Sequence, residues 1–511
     1  MLFTAGRDVS SLTRLETFKD VGTLHMSRLN NLLTWLSSKR RLISIFLLCA
    51  SPLGIFMVVA TPLGSSPDEP SHMARAEGLI RGVILAERKP ITDPETGKPK
   101  MLTGFLVDAG MFGVSFPKTE WIDNRPVVTQ QDYEAVRNEP IRHDLVFALI
   151  PNTATYFPAA YVPAAFGLAV GVATNATPFQ CMILARLGML LAFLALGALA
   201  IWIAAYGEAL IITVLLMPMT LNLAGSMNQD GVLIATTCLC AAALTACRDG
   251  RPWTRTVALT AMFVLLSAKP AYVPLLPVVV LPLARAGFWR RVAQMMAVAI
   301  PVLIWLALIA AFVIVPFGTA PYHPGPLYTG DRNTVFTTWD AAANVHVLLA
   351  QPDRFITLPL RTLQAWHTSF ENQMVGMLGA PGLWLSASYY HLWETALLIP
   401  ALGLVFAPRP AALPGQKMLV DNLFTWLLII LSFWLIFIVA YVDWTDVGAA
   451  EVWGVQGRYF LVLLPFLLFA VPGWQTRYQL PAIAPAIPAI GLGLFDLGYL
   501  PSKLIAFYYL H

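Results

Sequence analysis

The amino-acid sequence predicts an all-α, polytopic transmembrane helical bundle of about 11 spans. Three observations carry that expectation. Hydrophobic residues make up 57% of the chain and charged residues 12%, about half the charge of an ordinary soluble domain. Mean hydropathy is +0.65. The apolar residues come in runs of about 20, the length a helix needs to cross roughly 30 Å of hydrocarbon.

Net charge is +4, but the basic residues cluster beside apolar runs without interleaved aromatics. They argue for topology and exclude nucleic acid as a partner. The five cysteines lie in or beside apolar segments with no metal or redox spacing. Residues 1–41 are polar and basic and read as a cytoplasmic segment in which Met26 is a second candidate start. No cleavage site of the A-x-A kind follows, so the run at 42–63 reads as a retained anchor.

Short basic clusters mark the cytoplasmic ends of spans. They are Lys39–Arg41, then Arg248, Arg251 and Arg255, then Arg285, Arg290 and Arg291, and last the Arg409–Lys417 stretch. An even number of spans must separate the first cluster from the second, yet five apolar runs lie between: 42–63, 155–173, 181–204, 209–226 and 231–247. The run at 155–173, broken by Pro158, Pro163, Gly167 and Gly171, is the poorest helix and reads as interfacial or re-entrant. A first outer loop then covers 64–180. Two half-length helices, 256–268 and 271–284, turn at Lys269–Pro270 at partial membrane depth. Further spans fall at 291–316, 384–406, 421–442, 458–473 and 480–500. A second outer loop, 317–383, holds TAPYHPGPLYTG and an amphipathic stretch from Arg354 to Glu371. The expected layout is a transmembrane catalytic domain at 42–500 and a tail at 501–511.

This topology sends the ionisable residues at one set of helix ends to the outer face: Asp68, Glu69, His72 and Arg75; Arg186; Asp230; Lys269; Asp443, Asp446 and Glu451; and Arg458. In SSPDEPSHMARA, prolines 67 and 70 hold the backbone extended around two carboxylates. One carboxylate would serve as general base on a hydroxyl while the other orients it or helps hold a divalent cation, with His72 assisting. The plain alternative is a helix cap at the start of a helix near Pro70. Asp230 in SMNQDG is a second acid for the same cavity, or the N-cap of an ordinary turn. Arg458 in VQGRYFLVLLP, with Gln456 and Tyr459 beside it, suits a phosphate through its planar fork of donors, or snorkels to the interface. Lys269, between two short apolar helices, needs an anionic partner; Arg186 is similar. The acids Asp68, Glu69 and Asp230 would suit Mg or Mn, the one kind of cofactor the chain suggests. The chain has no GxxxxGK[ST], GxSxG or HExxH string and no second soluble nucleotide-binding domain, which argues against ATP hydrolysis and against nucleotide-sugar chemistry inside the cell.

Taken together, SPDEPSHMARA, Tyr156-x-Pro158, Tyr161-x-Pro163, the LAR ending at Arg186, SMNQD, AKPAY, YVDWT and VQGRY resemble a bacterial multi-pass family catalogued as a domain of unknown function. That family is similar to the GT-C superfamily of polyprenyl-phosphate-sugar-dependent membrane glycosyltransferases. The resemblance covers roughly residues 40–475. It implies a GT-C-like fold with interfacial helices in the first outer loop. It also implies Asp68 as the catalytic carboxylate with Glu69 beside it, Lys269, Arg458 and Arg186 on the donor phosphate, and Asp230 in a second acidic motif. The expected activity is sugar transfer to an envelope glycan or lipid-linked acceptor, on the outer face of the bacterial inner membrane. A transporter or flippase for a lipid-linked sugar is the alternative from another class.

Overall fold

The computed structural model describes residues 30–92, 99–122, 125–283, 287–315, 341–379, 382–407, 415–471 and 480–510. Met26, the TAPYHPGPLYTG string, Arg285 and Arg409 fall outside them. The described chain is mostly helical. Among the described residues six helices are long and apolar enough to cross a membrane: Lys39–Ala60, Pro178–Ile203, Gln229–Arg248, Phe288–Phe312, Lys417–Trp444 and Ala484–Tyr508.

In chain order the helices that position the site are α1 (Lys39–Ala60), α2 (Glu69–Ile80), α3 (Val162–Ala173), α4 (Pro178–Ile203), α5 (Glu208–Leu216), α6 (Pro218–Ala224), α7 (Gln229–Arg248) and α8 (Thr254–Ala268), then α9 (Phe288–Phe312), α10 (Ala341–Ala350), α11 (Arg354–Gly376), α12 (Ala387–Gly403), α13 (Gly415–Trp444) and α14 (Ile487–Tyr508). Helix α7 is the axis of the bundle: every residue from Gln229 to Ala246 is buried, and its 20 residues rise about 30 Å. Helices α1, α9 and α13 instead bare apolar side chains such as Leu48, Ile55, Leu303, Ile304, Leu427 and Ile430, the belt that lipid tails would cover.

Several expected spans are interrupted, each for a backbone reason. The run at 209–226 is two helices, because Pro218 forces Met217 into an extended conformation between α5 and α6. At the end of α8, Lys269 is extended ahead of Pro270 in the same way. From Pro270 to Leu283 the chain winds as a 3-10 helix through Pro274, Pro277 and Pro282, each of which denies the backbone a donor. The run expected at 458–473 is a 3-10 helix, Gly457–Phe466, and one further turn, Leu467–Ala470. Helix α3 is too short to span and pairs with α4. Gly167 and Gly188 let the two backbones touch, since a Cβ at either would meet the Leu184 or Pro163 carbonyl.

The long loop departs from the all-helical expectation. It holds a three-stranded antiparallel sheet of β1 (Glu87–Thr92), β2 (Pro99–Asp108) and β5 (Leu145–Leu149), in the order β1-β2-β5, and a hairpin of β3 (Glu120–Ile122) and β4 (Arg125–Val127). In β2, Phe105 and Val107 are buried, the period-two pattern of a strand with one covered face. Phe105 lies opposite Ala148 and packs where Gly78 of α2 leaves room. The hairpin is tied to α14: Arg125 donates to the Ala506 carbonyl at 2.8 Å and Val128 N–H to the Tyr508 carbonyl at 2.8 Å.

Ion pairs lie at both ends of α7. At one, Lys39 pairs with Glu208, and Arg248 with Asp421 at 2.6 Å. At the other, where α1 ends and α7 begins, lies the constellation expected to do chemistry.

Candidate functional site

Helix α2 begins at Asp68, whose backbone sits in the left-handed region at φ +58°. Such a conformation costs an L-residue about 1 kcal/mol or more, although Asp tolerates it better than most. The Asp68 carbonyl accepts from Ser71 N–H at 3.0 Å and His72 N–H at 3.1 Å, which starts the helix. Its side chain, however, makes no capping bond. The carboxylate turns away and its Oδ2 accepts from Arg458 Nη2 at 3.1 Å. Asp68 thus holds the N-cap position that the plain reading gives it, but its side chain serves Arg458 and not the helix.

Arg458 also lies 3.3 Å through Nε from Asp230 Oδ2, and Asp230 Oδ1 lies 2.6 Å from Lys269 Nζ. The order Lys269, Asp230, Arg458, Asp68 makes a row of alternating charges that sums to zero. It draws on α2, α7, the α8 break and the Gly457 3-10 helix. The extended Lys269 backbone places its ammonium 4.3 Å from the centre of the Tyr459 ring. Tyr272 donates to the Tyr459 backbone carbonyl at 2.8 Å, which ties the Pro270–Leu283 segment to the Gly457 3-10 helix. Arg458 and Asp230 are almost wholly buried, while the Asp68 side chain is 38% exposed. Among buried atoms, Arg458 Nη1 has no partner, and two of the three Lys269 donors remain beyond the Asp230 contact.

Two elements hold this row in place. The loop bearing Asp230 is laced to the loop bearing Asp68: Asn228 Nδ2 donates to the Pro67 carbonyl at 3.2 Å, and Asn228 Oδ1 accepts from Asp230 N–H at 2.8 Å. Arg458 is delivered by residues 445–457, which α11 clamps. Thr362 Oγ1 accepts from Val452 N–H at 2.8 Å, Gln373 Oε1 from Gly457 N–H at 2.9 Å, and Arg354 donates to the Gly448 and Ala449 carbonyls. A Cβ at Gly457 would collide with the Phe370 carbonyl, so only glycine lets the chain pass there.

Glu69 and Arg186 do not join the row. They face each other fully buried, Arg186 Nε to Glu69 Oε1 at 2.6 Å and Nη2 to Oε2 at 2.5 Å. Glu69 also accepts from Gly64 N–H at 2.9 Å and Met227 N–H at 3.4 Å. Arg186 donates to the Val58, Thr61 and Pro62 carbonyls. Those carbonyls are the last of α1 and the turn after it, so the pair fastens the end of α1 to α4 and α2. With its donors committed, Arg186 has none for a phosphate, and Glu69 has no free oxygen for a substrate; the geometry gives both a different task from the expected one. Arg75 is likewise enclosed. It donates to the Ile84 carbonyl at 2.9 Å and the Tyr156 carbonyl at 3.2 Å and lies over the Phe105 ring at 5.0 Å. Burial lowers it to about 10, still charged at neutral pH. Gln456 contributes its carbonyl to Tyr459 N–H at 3.0 Å, and Glu451 accepts from the Trp366 indole at 2.9 Å. Both stand outside the row.

A divalent cation does not fit these residues. Glu69 is spent on Arg186 and Asp230 on two cations, so the three acids expected to share a metal offer no common set of free oxygens. Among the described residues no group of three or more His, Cys, Asp or Glu side chains converges as a metal site.

Residues 52–467 match the model of the DUF2142 family, described as a predicted membrane protein. The chain belongs to the DUF2142 family. No curated protein and no solved structure matches it. The matched region of this DUF2142 protein contains all four members of the charge row and the Glu69–Arg186 pair, and stops before α14.

Sequence reasoning named two tyrosines that border the row, Tyr156 and Tyr161, only as parts of family strings and gave them no role. His72 Nδ1 lies 2.7 Å from the Tyr161 hydroxyl, and its ring stacks at 5.7 Å on Tyr161 and 6.5 Å on Tyr156. The two Tyr-x-Pro strings were the visible signal, since each proline sets the turn that brings its tyrosine inward. Burial pushes His72 down to about 4, against the attraction of Asp68 and Asp230 and with some repulsion from Arg458 and Lys269. The imidazole is therefore neutral in the folded protein at neutral pH. Between about 6.5 and 4 the unfolded chain binds a proton that the folded one refuses, so stability falls as pH falls through that window. The loss is about 3 kcal/mol in all. Unfolding in detergent at pH 7.5 and pH 4.5 measures it. His72→Asn should flatten the difference, and equal pH dependence in both proteins would refute the assignment.

Proposed function

We propose that this DUF2142 protein is a glycosyltransferase of the kind its motifs resemble, moving a sugar from a polyprenyl phosphate to a hydroxyl of an envelope glycan or lipid-linked acceptor. One observation carries the reading. A solvent-reachable carboxylate, Asp68, stands in front of a buried guanidinium, Arg458, and a part-buried ammonium, Lys269, both with donors to spare, at one end of a membrane bundle. A base and an anion site side by side are what attack by a hydroxyl with departure of a phosphate requires.

In this reading Asp68 accepts the proton of the acceptor hydroxyl as its oxygen bonds to the sugar's anomeric carbon. The bond from that carbon to the phosphate oxygen breaks, and polyprenyl phosphate leaves with the electron pair. Arg458 and Lys269 meet the charge that develops there. Asp230 is held by both cations and orients them, so a single displacement fits better than a covalent intermediate on a second carboxylate. The arriving phosphate competes with Asp68 for Arg458 and releases the carboxylate to act. The outer face of an inner membrane suits this donor, because it is the side without nucleotide sugars.

Binding of undecaprenyl phosphate to the purified protein in detergent tests the anion site, read by native mass spectrometry. Lys269→Gln and Arg458→Gln should each weaken it more than 10-fold, and wild-type affinity in both would remove the basis of the proposal.

The carrier reading draws on the breaks at Met217–Pro218 and Lys269–Pro270. At the far end, though, Lys39 is paired with Glu208 and Arg248 with Asp421, which closes off charge where a transport path would need it.

A further inference from the structure

Helix α14 crosses beside α1 from end to end. Ile483 N–H donates to Ser37 Oγ at 3.1 Å just before α1 begins, and the Tyr509 hydroxyl donates to the Ala60 carbonyl at 2.9 Å where α1 stops. Asp496 is thirteen residues from Ile483 and thirteen from Tyr509, the middle of the span, about 20 Å from either anchor. Tyr389 of α12 donates to Asp496 Oδ1 at 2.8 Å and so lies at the same depth. From there α12 runs to Gly403, which packs against Pro485 at the start of α14. His391 and Glu394 therefore stand about 3 and 8 Å from mid-span. Their side chains leave the bundle: His391 is 76% exposed and Glu394 32%. Among the described residues their side chains meet only each other, His391 Nδ1 to Glu394 Oε2 at 3.0 Å. Ionisable groups at that depth are costly against lipid and are ordinarily covered by protein.

The residues around the pair repeat as a seam for another helix. Ser388, His391, Thr395, Leu398 and Leu402 are all exposed and follow one another in alternating steps of three and four, the a and d positions of a heptad. From this placement we infer that α12 is the interface of a parallel homodimer, in which a second copy of this chain covers His391 and Glu394. Such a pair sets each seam residue beside its own counterpart at equal depth. A d-position side chain enters a hole of four residues on the facing helix. For His391 that hole consists of Ser388, His391, Leu392 and Thr395 of the partner subunit. Hydroxyls both donate and accept, so Ser388 of the partner subunit meets His391 Nε2 in either protonation state. Thr395 gives its own proton to the His391 carbonyl at 2.8 Å and keeps its oxygen for the other helix, the kind of polar contact that joins helices in lipid. Leu398 and Leu402 extend the seam as apolar layers. Ionised, His391 and Glu394 sum to zero, so two copies meet without net charge, and a partner of opposite charge would gain nothing here. Lipid tails offer neither donor nor acceptor.

Single-molecule photobleaching of the labelled full-length protein in liposomes, over a range of protein-to-lipid ratios, tests it. Wild type should bleach in two steps that give way to one on dilution. His391→Leu combined with Glu394→Leu, and Thr395→Trp by itself, should each raise the dissociation constant at least 10-fold. These changes fall on the outer face of α12, so the thermal midpoint should be no lower than in wild type and undecaprenyl phosphate binding should be unchanged, which separates a lost interface from a lost fold. Oxidative cross-linking in the native membrane identifies the face: Leu398→Cys should yield a disulfide-linked dimer and Leu303→Cys, on α9, should not. The inference is overturned if wild type is monomeric at every dilution, if both sets of variants dimerise as wild type does, or if Leu303→Cys cross-links as readily as Leu398→Cys. Cross-linking of Leu398→Cys to a different protein alone would also overturn it and assign the face to that protein.

Discussion

Replacing Asp68 with asparagine is expected to lower sugar transfer by about 10²–10⁴-fold, the range for a lost general base. The protein should remain folded and able to bind polyprenyl phosphate. Asparagine is the right probe because it accepts the left-handed conformation that residue 68 adopts and keeps the side-chain shape, so only the charge and basicity go. The cost to stability should stay within about 1 kcal/mol, since the Asp68–Arg458 contact is partly exposed and screened. The assay follows release of polyprenyl phosphate from a polyprenyl-phosphate-linked sugar by the protein in liposomes. Full turnover in Asp68→Asn would end the assignment. Turnover lost together with the fold would place the residue in the architecture instead.

The second large effect is structural. Glu69→Leu and Arg186→Leu should each destabilise the protein by about 3–5 kcal/mol, because each strands a buried charge whose partner has gone. Removing both with Glu69→Leu and Arg186→Leu should recover part of that loss, since no unpaired charge is left inside. Thermal unfolding in detergent, arranged as a double-mutant cycle, reads both quantities. Single variants within about 1 kcal/mol of wild type would show that the pair is not the fastening between α1 and α4. If Glu69→Gln removed turnover while leaving stability intact, Glu69 would return to the chemistry.

These two carboxylates show what could be seen in the sequence and what could not. Adjacent in PDEP, they look alike in a string. They diverge because the α2 backbone starts in a left-handed turn, which throws Asp68 toward Arg458 and tucks Glu69 under Met227 toward Arg186. Which distant residue meets which is a matter of three dimensions: 117 residues separate Glu69 from Arg186 and 390 separate Asp68 from Arg458. Local punctuation was legible where proline dictated it, as at Lys269–Pro270 and at Pro158 and Pro163, whereas Gly167, read as an interruption, lies inside α3. The break at Pro218 was equally visible and was read through as one span, because the apolar run on either side masked it. The sheet in the long loop escaped for a different reason. Its strands are short and partly polar, and a chain dominated by helical apolar runs offers little contrast against which a period of two stands out.

The 390 residues between Asp68 and Arg458 also set an order of assembly during biosynthesis. At about 5–20 residues per second, Arg458 emerges from the ribosome roughly 20–80 s after Asp68. Glu69 and Arg186, and then Asp230 and Lys269, can neutralise each other well before that, so the early helices enter the bilayer with their buried charges matched. Asp68 waits at the water-facing end, where an unpaired carboxylate is cheap. A nascent or truncated chain thus carries the acid without its guanidinium, and the machinery is completed only by the last fifth of the protein to be made.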